Sequence, residues 1–128
     1  MIVDDDPISR GVLANILKDI GDCEKISNGS EAILAFESKV STKDRYDIIT
    51  LDISMPDISG LTVLYKMRKV ETQYNVPEEE RAKIIMVTAD GNRDHIKTAI
   101  SEKCTYYIVK PFSRDEIMEK FKKQKIIS

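Results

Sequence analysis

Residues 47–52 read DIITLD, a nearly continuous apolar run that ends at the carboxylate of Asp52. Such runs are typical of strands in a parallel sheet, because crossover helices cover both faces of the sheet. Three further short runs each end at a polar side chain: Ile2-Val3 before Asp4 and Asp5, Ile84–Val87 before Thr88, and Tyr107–Val109 before Lys110. Open α/β sheets bind ligands outside the carboxyl ends of their strands. The pattern therefore predicts one site with three carboxylates, a hydroxyl and an ammonium.

Helical patterns separate these runs. The first helix is predicted from Pro7 to Gly21, with Asp6 as its N-cap and a single core-facing stripe formed by Ile8, Val12, Leu13, Ile16, Leu17 and Ile20. Asn92 is expected to cap a fourth helix that turns Ile96, Ala99 and Ile100 inward. Residues 72–83 are expected to form an extended surface connection, with one helical turn at 77–81.

Five strands that alternate with five helices predict an α/β fold with a doubly wound, five-stranded parallel sheet, because parallel neighbours need crossover helices. The chain has 128 residues, of which 41% are hydrophobic and 33% charged, so residues 1–128 are expected to form one domain. A net charge of −2 argues against direct binding to nucleic acid or to anionic membranes. No apolar stretch approaches the roughly 20 residues of a membrane span, and no leader pattern opens the chain. We therefore expect a soluble, cytoplasmic protein.

The expected cluster of Asp4, Asp5 and Asp52 has a definite electrostatic cost. Two unit charges 4 Å apart repel by about 4 kcal/mol at an effective dielectric constant of about 20. A bound cation together with Lys110 would remove this repulsion. Oxygen ligands without histidine or cysteine nearby suit Mg²⁺, with Mn²⁺ as the alternative.

Four segments, in this order, resemble the CheY-like receiver domain of two-component response regulators. They are Ile2–Pro7, Leu51–Pro56 with Gly60, Val87–Ala89, and Tyr107–Pro111. The resemblance extends over essentially the whole chain and implies the strand order 2-1-3-4-5 of the flavodoxin-like (βα)5 fold. The long connection at residues 72–83 is similar to that of receivers attached to hybrid histidine kinases, so both a free-standing protein and a part of a larger one remain open.

The resemblance also implies roles for individual residues. Asp52 would be the phosphoacceptor, and Lys110 and Thr88 would contact the phosphoryl group. The implied metal ligands are Asp4, Asp5, Asp52 and the backbone carbonyl of Ser54.

A second group of residues is implied to control switching and lifetime. Thr88 and Tyr107 would form the switch, with Tyr107 rotating inward after phosphorylation. Ser54 and Asp90 would tune the lifetime of the aspartyl phosphate. The sharp turn of the family implies a cis peptide bond between Lys110 and Pro111.

The implied function is acceptance of a phosphoryl group from a phosphohistidine of a histidine kinase or histidine phosphotransfer protein. The domain would be a phosphoacceptor that assists its own Mg²⁺-dependent phosphorylation and dephosphorylation, and not an enzyme. Its signal would pass through helix 4, strand 5 and helix 5 to an effector, an attached output or kinase domain, or a phosphorylation-dependent homodimer.

Two other classes of function are weighed against this one. A receiver-like interaction module would bind partners without being phosphorylated, and the sequence leaves this alternative open. A phosphatase of the haloacid-dehalogenase type would carry its nucleophile in a DxD motif after the first strand and would need a cap or a longer chain. Neither requirement is met.

Overall fold

The computed structural model describes residues 1–127, in which five strands alternate with five α-helices. The strands are β1 (Ile2–Val3), β2 (Lys25–Ile26), β3 (Ile48–Leu51), β4 (Lys83–Thr88) and β5 (Tyr106–Val109). The helices are α1 (Pro7–Leu17), α2 (Gly29–Ser41), α3 (Gly60–Gln73), α4 (Arg93–Ser101) and α5 (Arg114–Lys123). All strand pairs are parallel and the order is β2-β1-β3-β4-β5, which confirms the predicted fold class and strand order.

The sheet separates two hydrophobic cores. Strand β4 contributes to both, because successive side chains of a strand point to opposite faces. Ile84 and Met86 join the core formed with α2 and α3, whereas Ile85 and Val87 join the core formed with α1 and α5. Burial on both faces explains why the central strands have continuous apolar runs.

The strand register aligns the ends that carry polar residues. Val3 of β1 pairs with Leu51 of β3, so Asp4 and Asp52 follow at the same level of the sheet. Leu51 pairs in turn with Met86 of β4, two residues before Thr88. The sheet thereby places side chains that are distant in sequence along one edge.

The predicted stripe of the first helix was wrong in two positions. Leu13, Ile16 and Leu17 are buried, but Ile8 is 75% exposed and Val12 is 46% exposed. At 3.6 residues per turn, Ile8 lies about 130° around the helix from the centre of the buried stripe. The helix also ends at Leu17, before the predicted stop at Gly21.

Two further helices depart in detail from the prediction. Asn92 caps α4 as expected and Ala99 is buried, but Ile100 is 63% exposed and does not turn inward. Helix α3 continues to Gln73, so the extended connection is shorter than expected. The connection between α3 and β4 contains a 3₁₀ turn at Glu78–Glu80, which lies within the helical turn predicted at residues 77–81.

A buried ion pair anchors this connection. The Arg68 guanidinium lies 2.7 Å from Glu71 and donates to the carbonyl oxygens of Ala82 and Lys103, while Glu71 accepts from the N–H of Ala82. Helix α3 is thus joined both to the residue before β4 and to the turn after α4. Within residues 1–127, no helix combines the length and apolar character needed to cross a membrane.

Candidate functional site

Lys110 joins the ends of three strands. Its ammonium nitrogen lies 2.8 Å from Oδ2 of Asp4 and 3.3 Å from Oδ2 of Asp52. Asp4 is 1% exposed and Asp52 is 7% exposed, so both carboxylates are buried where the strands end. Buried carboxylates need a partner of opposite charge, and the ammonium of Lys110 supplies it to both.

Asp4, Asp5 and Asp52 also form a compact group of oxygen atoms. One carboxylate oxygen of each lies within 4.8 Å of the others, and Asp5 is exposed at the outer side. Both oxygens of Asp4 already accept hydrogen bonds, from the backbone N–H of Asp6 and from Lys110. An all-oxygen set of this size fits a hard cation such as Mg²⁺, which usually keeps several waters and takes one or two carboxylates.

Burial and the contacts between opposite charges shift the pKa values of Asp4 and Lys110 in opposite directions. Burial raises the pKa of Asp4, although hydrogen bonds from Lys110 and from the Asp6 N–H oppose the increase. Burial alone would lower the pKa of Lys110, but the hydrogen bond to Asp4 and the charge of Asp52 outweigh it. The net pKa of Lys110 is raised, and its ammonium therefore stays charged at neutral pH.

Gly60 is packed against the backbone of Asp52. A Cβ atom at position 60 would lie 1.9 Å from the carbonyl oxygen of Asp52. The N–H of Gly60 donates to the carbonyl of Ile53 over 2.8 Å, so α3 begins directly on the loop that follows β3. Glycine is required at position 60 because a side chain would clash with this backbone, and not because of backbone conformation, since Gly60 does not have a positive φ.

Asp57 holds the other side of the same loop. Its carboxylate accepts hydrogen bonds from the backbone N–H groups of Gly29 and Ser30 at 3.1 and 2.8 Å, at the start of α2. These hydrogen bonds, those from Ser30 foremost, lower the pKa of Asp57. Sequence reasoning missed this role, because the partners lie 27 and 28 residues away and no local pattern marks them.

Thr88, Asp90 and Tyr107 form a second group, centred on the backbone of Asp90. The N–H of Asp90 donates to the Thr88 hydroxyl over 3.2 Å, and the Tyr107 hydroxyl donates to the Asp90 carbonyl over 2.6 Å. The Tyr107 ring is half-buried against the core, and burial raises its pKa to about 12. The Tyr107 hydroxyl is thus hydrogen-bonded to the backbone of the loop after β4.

The Asp90 carboxylate is engaged with the start of α4. It accepts from the N–H of Asn92 over 2.9 Å and contacts Nδ1 of His95. Both contacts lower the pKa of Asp90, and the hydrogen bond from the Asn92 N–H has the larger effect. Ser54 is exposed and donates its N–H to Oδ1 of Asp52, and the Lys110–Pro111 peptide bond is cis.

The chain belongs to the family of response regulator receiver domains, whose family model matches residues 1–122. Chemotaxis protein CheY of Bacillus subtilis is 30% identical over 128 residues, which cover 96% of this chain and 93% of that protein. Hybrid signal transduction histidine kinase L of Dictyostelium discoideum is 32% identical, over 96% of this chain but 7% of the kinase. Response regulator TrrA of Thermotoga maritima, solved in complex with Mg²⁺-BeF, is 35% identical with a TM-score of 0.73, over 96% of this chain and 95% of that one.

These similarities confirm the family expected from the four sequence segments. The chain is a receiver domain of two-component signal transduction, a class of protein that typically accepts a phosphoryl group. Relatives of this chain occur both as free-standing receivers and as a small part of a hybrid kinase.

Proposed function

We propose that residues 1–128 form a single receiver domain whose Asp52 accepts a phosphoryl group from a phosphohistidine. The observation that carries this proposal is the position of the Lys110 ammonium, within 3.3 Å of both Asp4 and Asp52 at the strand ends. An oxygen of Asp52 attacks phosphorus, the phosphorus–nitrogen bond breaks, and the imidazole nitrogen keeps the electron pair. The product is an aspartyl phosphate.

The residues around Asp52 supply positioning and charge. One oxygen of Asp52 accepts from the N–H of Ser54 and the other from Lys110, which fixes the plane of the carboxylate. Lys110 and the Thr88 hydroxyl are proposed to contact the oxygens of the incoming group. Positioning and charge stabilisation are the main contributions that proteins make to phosphoryl transfer.

Mg²⁺ is the proposed cofactor, with Asp4, Asp5, Asp52 and the Ser54 carbonyl as its ligands. The close carboxylate oxygens support this proposal, and no observation favours Mn²⁺. When bound, the ion would neutralise negative charge on the transferring group.

Loss of the phosphoryl group to water closes the proposed cycle. Water attacks phosphorus and the Asp52 carboxylate leaves, so the domain is a phosphoacceptor and not an enzyme that turns over a separate substrate. The exposed Ser54 leaves this side of Asp52 open to water. The Asp90 carboxylate is held by Asn92 and His95, which favours an indirect effect of Asp90 on lifetime.

The proposed output is a change in the surface of α4, β5 and α5, transmitted through Thr88 and Tyr107. The Tyr107 hydroxyl donates to the Asp90 carbonyl, so the proposed inward rotation of Tyr107 after phosphorylation would change this hydrogen-bonded group. The proposed partners are a cytoplasmic histidine kinase or histidine phosphotransfer protein and an effector, an attached output or kinase domain, or a second copy of the chain.

The test is to incubate the protein with acetyl phosphate and Mg²⁺ and to weigh the intact chain after rapid quenching. We expect one phosphoryl adduct that Asp52→Asn abolishes and that removal of the metal with EDTA prevents. Asp44→Asn, at an exposed position before β3, is the matched control and should react like the wild type. A phosphorylated histidine phosphotransfer protein should donate more rapidly than acetyl phosphate. Absence of any adduct from either donor would favour the unphosphorylated interaction module.

A further inference from the structure

Ser9, in the first turn of α1, contacts the ammonium of Lys110. Its hydroxyl oxygen lies 3.2 Å from the Lys110 nitrogen, 101 residues away in the chain. An ammonium has three N–H donors. Asp4 accepts one, Asp52 accepts another, and Ser9 is the third acceptor.

The direction of the Ser9 hydroxyl is set by a second contact. Ser9 donates to Oδ2 of Asp6 over 3.0 Å, so a lone pair of its oxygen remains for Lys110. The backbone N–H of Asp6 donates to Oδ1 of Asp4. The contacts form a closed ring through Lys110, Ser9, Asp6 and Asp4.

We infer that Ser9 is a positioning residue that acts through Lys110, an inference that rests on the function proposed above. The contact of Lys110 with Asp4 is 0.5 Å shorter than its contact with Asp52, so Asp4 alone would draw the ammonium away from the phosphoacceptor. The hydroxyl of Ser9 occupies a third direction around the nitrogen. With two N–H groups held, the remaining one is aimed at Asp52 and at the group that Asp52 receives.

The first test compares Ser9→Ala with Ser9→Thr, which keeps a hydroxyl at the same position. A hydrogen bond of ordinary net strength corresponds to about a fivefold change in rate. We expect Ser9→Ala to lower the rate of Mg²⁺-dependent adduct formation by about that factor and Ser9→Thr to restore most of it. Ser38→Ala, at an exposed position of α2, is the matched control and should leave the rate unchanged.

The inference is overturned if Ser9→Ala reacts at the wild-type rate, or if Ser9→Thr is as slow as Ser9→Ala. A second measurement does not depend on phosphorylation. Nitrogen-15 NMR relaxation reports the order of the Lys110 ammonium, which we expect to fall in Ser9→Ala and to recover in Ser9→Thr. Unchanged order in Ser9→Ala would refute the positioning role. If the wild type forms no adduct but the order falls, the proposed function fails and the positioning of Lys110 by Ser9 stands.

Discussion

Replacing Gly60 with alanine places a methyl group against the backbone that carries Asp52. The new carbon would lie 1.9 Å from the Asp52 carbonyl oxygen, 2.7 Å from the Asp52 carbonyl carbon and 2.8 Å from Cα of Ile53. Non-bonded carbon atoms prefer a separation of about 3.5 to 4 Å. The start of α3 and the loop after β3 must therefore separate by about 1.5 Å, since all three atoms belong to the backbone and no side chain can rotate away.

The structure sets the expected size of the effect. Overpacking costs about 1 to 3 kcal/mol, and weakening of the hydrogen bond from the Gly60 N–H to Ile53 adds about 1 kcal/mol. A loss of about 2 to 4 kcal/mol in a domain of this length lowers the melting temperature by roughly 8 to 16 °C. Because Asp52 moves by about 1 Å, the phosphorylation rate should fall by about 100-fold in the protein that remains folded.

Gly11→Ala is the matched control, because a Cβ at position 11 would have no heavy atom of the described residues within 4 Å apart from its chain neighbours and the nearby backbone of its own helix. Gly11 is in the interior of α1, where alanine is favoured over glycine by about 0.5 to 1 kcal/mol. Circular dichroism during heating gives the melting temperatures, and the mass of the intact chain gives the rates. The reasoning is refuted if Gly60→Ala melts within about 2 °C of the wild type and is phosphorylated at the wild-type rate.

Two other predictions concern stability. Arg68→Ala should lower the free energy of unfolding, measured by chemical denaturation, by about 3 to 5 kcal/mol, because it leaves the buried carboxylate of Glu71 without its cation. Arg45→Ala, in the exposed pair with Asp47, is the control and should cost less than about 1 kcal/mol. Equal losses in the two variants would contradict this prediction. Burial raises the pKa of both Tyr46 and Tyr107 from 10.0 to about 12, so between these values the unfolded chain loses protons that the folded chain keeps. Stability should therefore fall as pH rises from 10 to 12, and less steeply in Tyr107→Phe; stability that is constant or rising over this range would be inconsistent with the burial of these phenols.

The strand ends were predictable from sequence because each central strand is buried on both faces. A continuous apolar run that stops at a polar residue marks the level at which the sheet ends, and β3 (Ile48–Leu51) lies within the run at residues 47–52 and stops just before Asp52. The cap of α1 was predictable for the same kind of local reason, since Asp6 accepts from the N–H of Ile8 two residues away. Local patterns were therefore sufficient to locate the carboxylates and Lys110 at the strand ends.

Contacts between distant segments could not be predicted in this way. Ser9 and Asp57 contact partners 101 and about 28 residues away, and neither residue belongs to a recognisable motif. The exposure of Ile8 was missed because six apolar residues were assigned to one stripe, although Ile8 and Leu17 lie about 180° apart around the helix. The turn after α4 has Lys103 at a φ of 65°, a left-handed conformation that usually favours glycine. Arg68 donates to the carbonyl of Lys103, a contact that sequence spacing does not reveal.

The hydrogen bonds are distributed unevenly over the three carboxylates: Asp4 is firmly held, whereas Asp52 and Asp5 are more available to a ligand. Both oxygens of Asp4 are engaged at 2.8 to 2.9 Å, by Lys110 and by the N–H of Asp6. From residues 1–127, Asp52 accepts two longer contacts of 3.3 Å, from Lys110 and from the N–H of Ser54, and Asp5 faces solvent. Spare acceptor capacity is thus concentrated on Asp52 and Asp5, at the outer edge of the site. A cation bound there can still take Asp4 as a ligand while the contact between Asp4 and Lys110 remains, because each carboxylate oxygen has a second lone pair. Lys110 can reach the phosphoryl group through the N–H that faces Asp52.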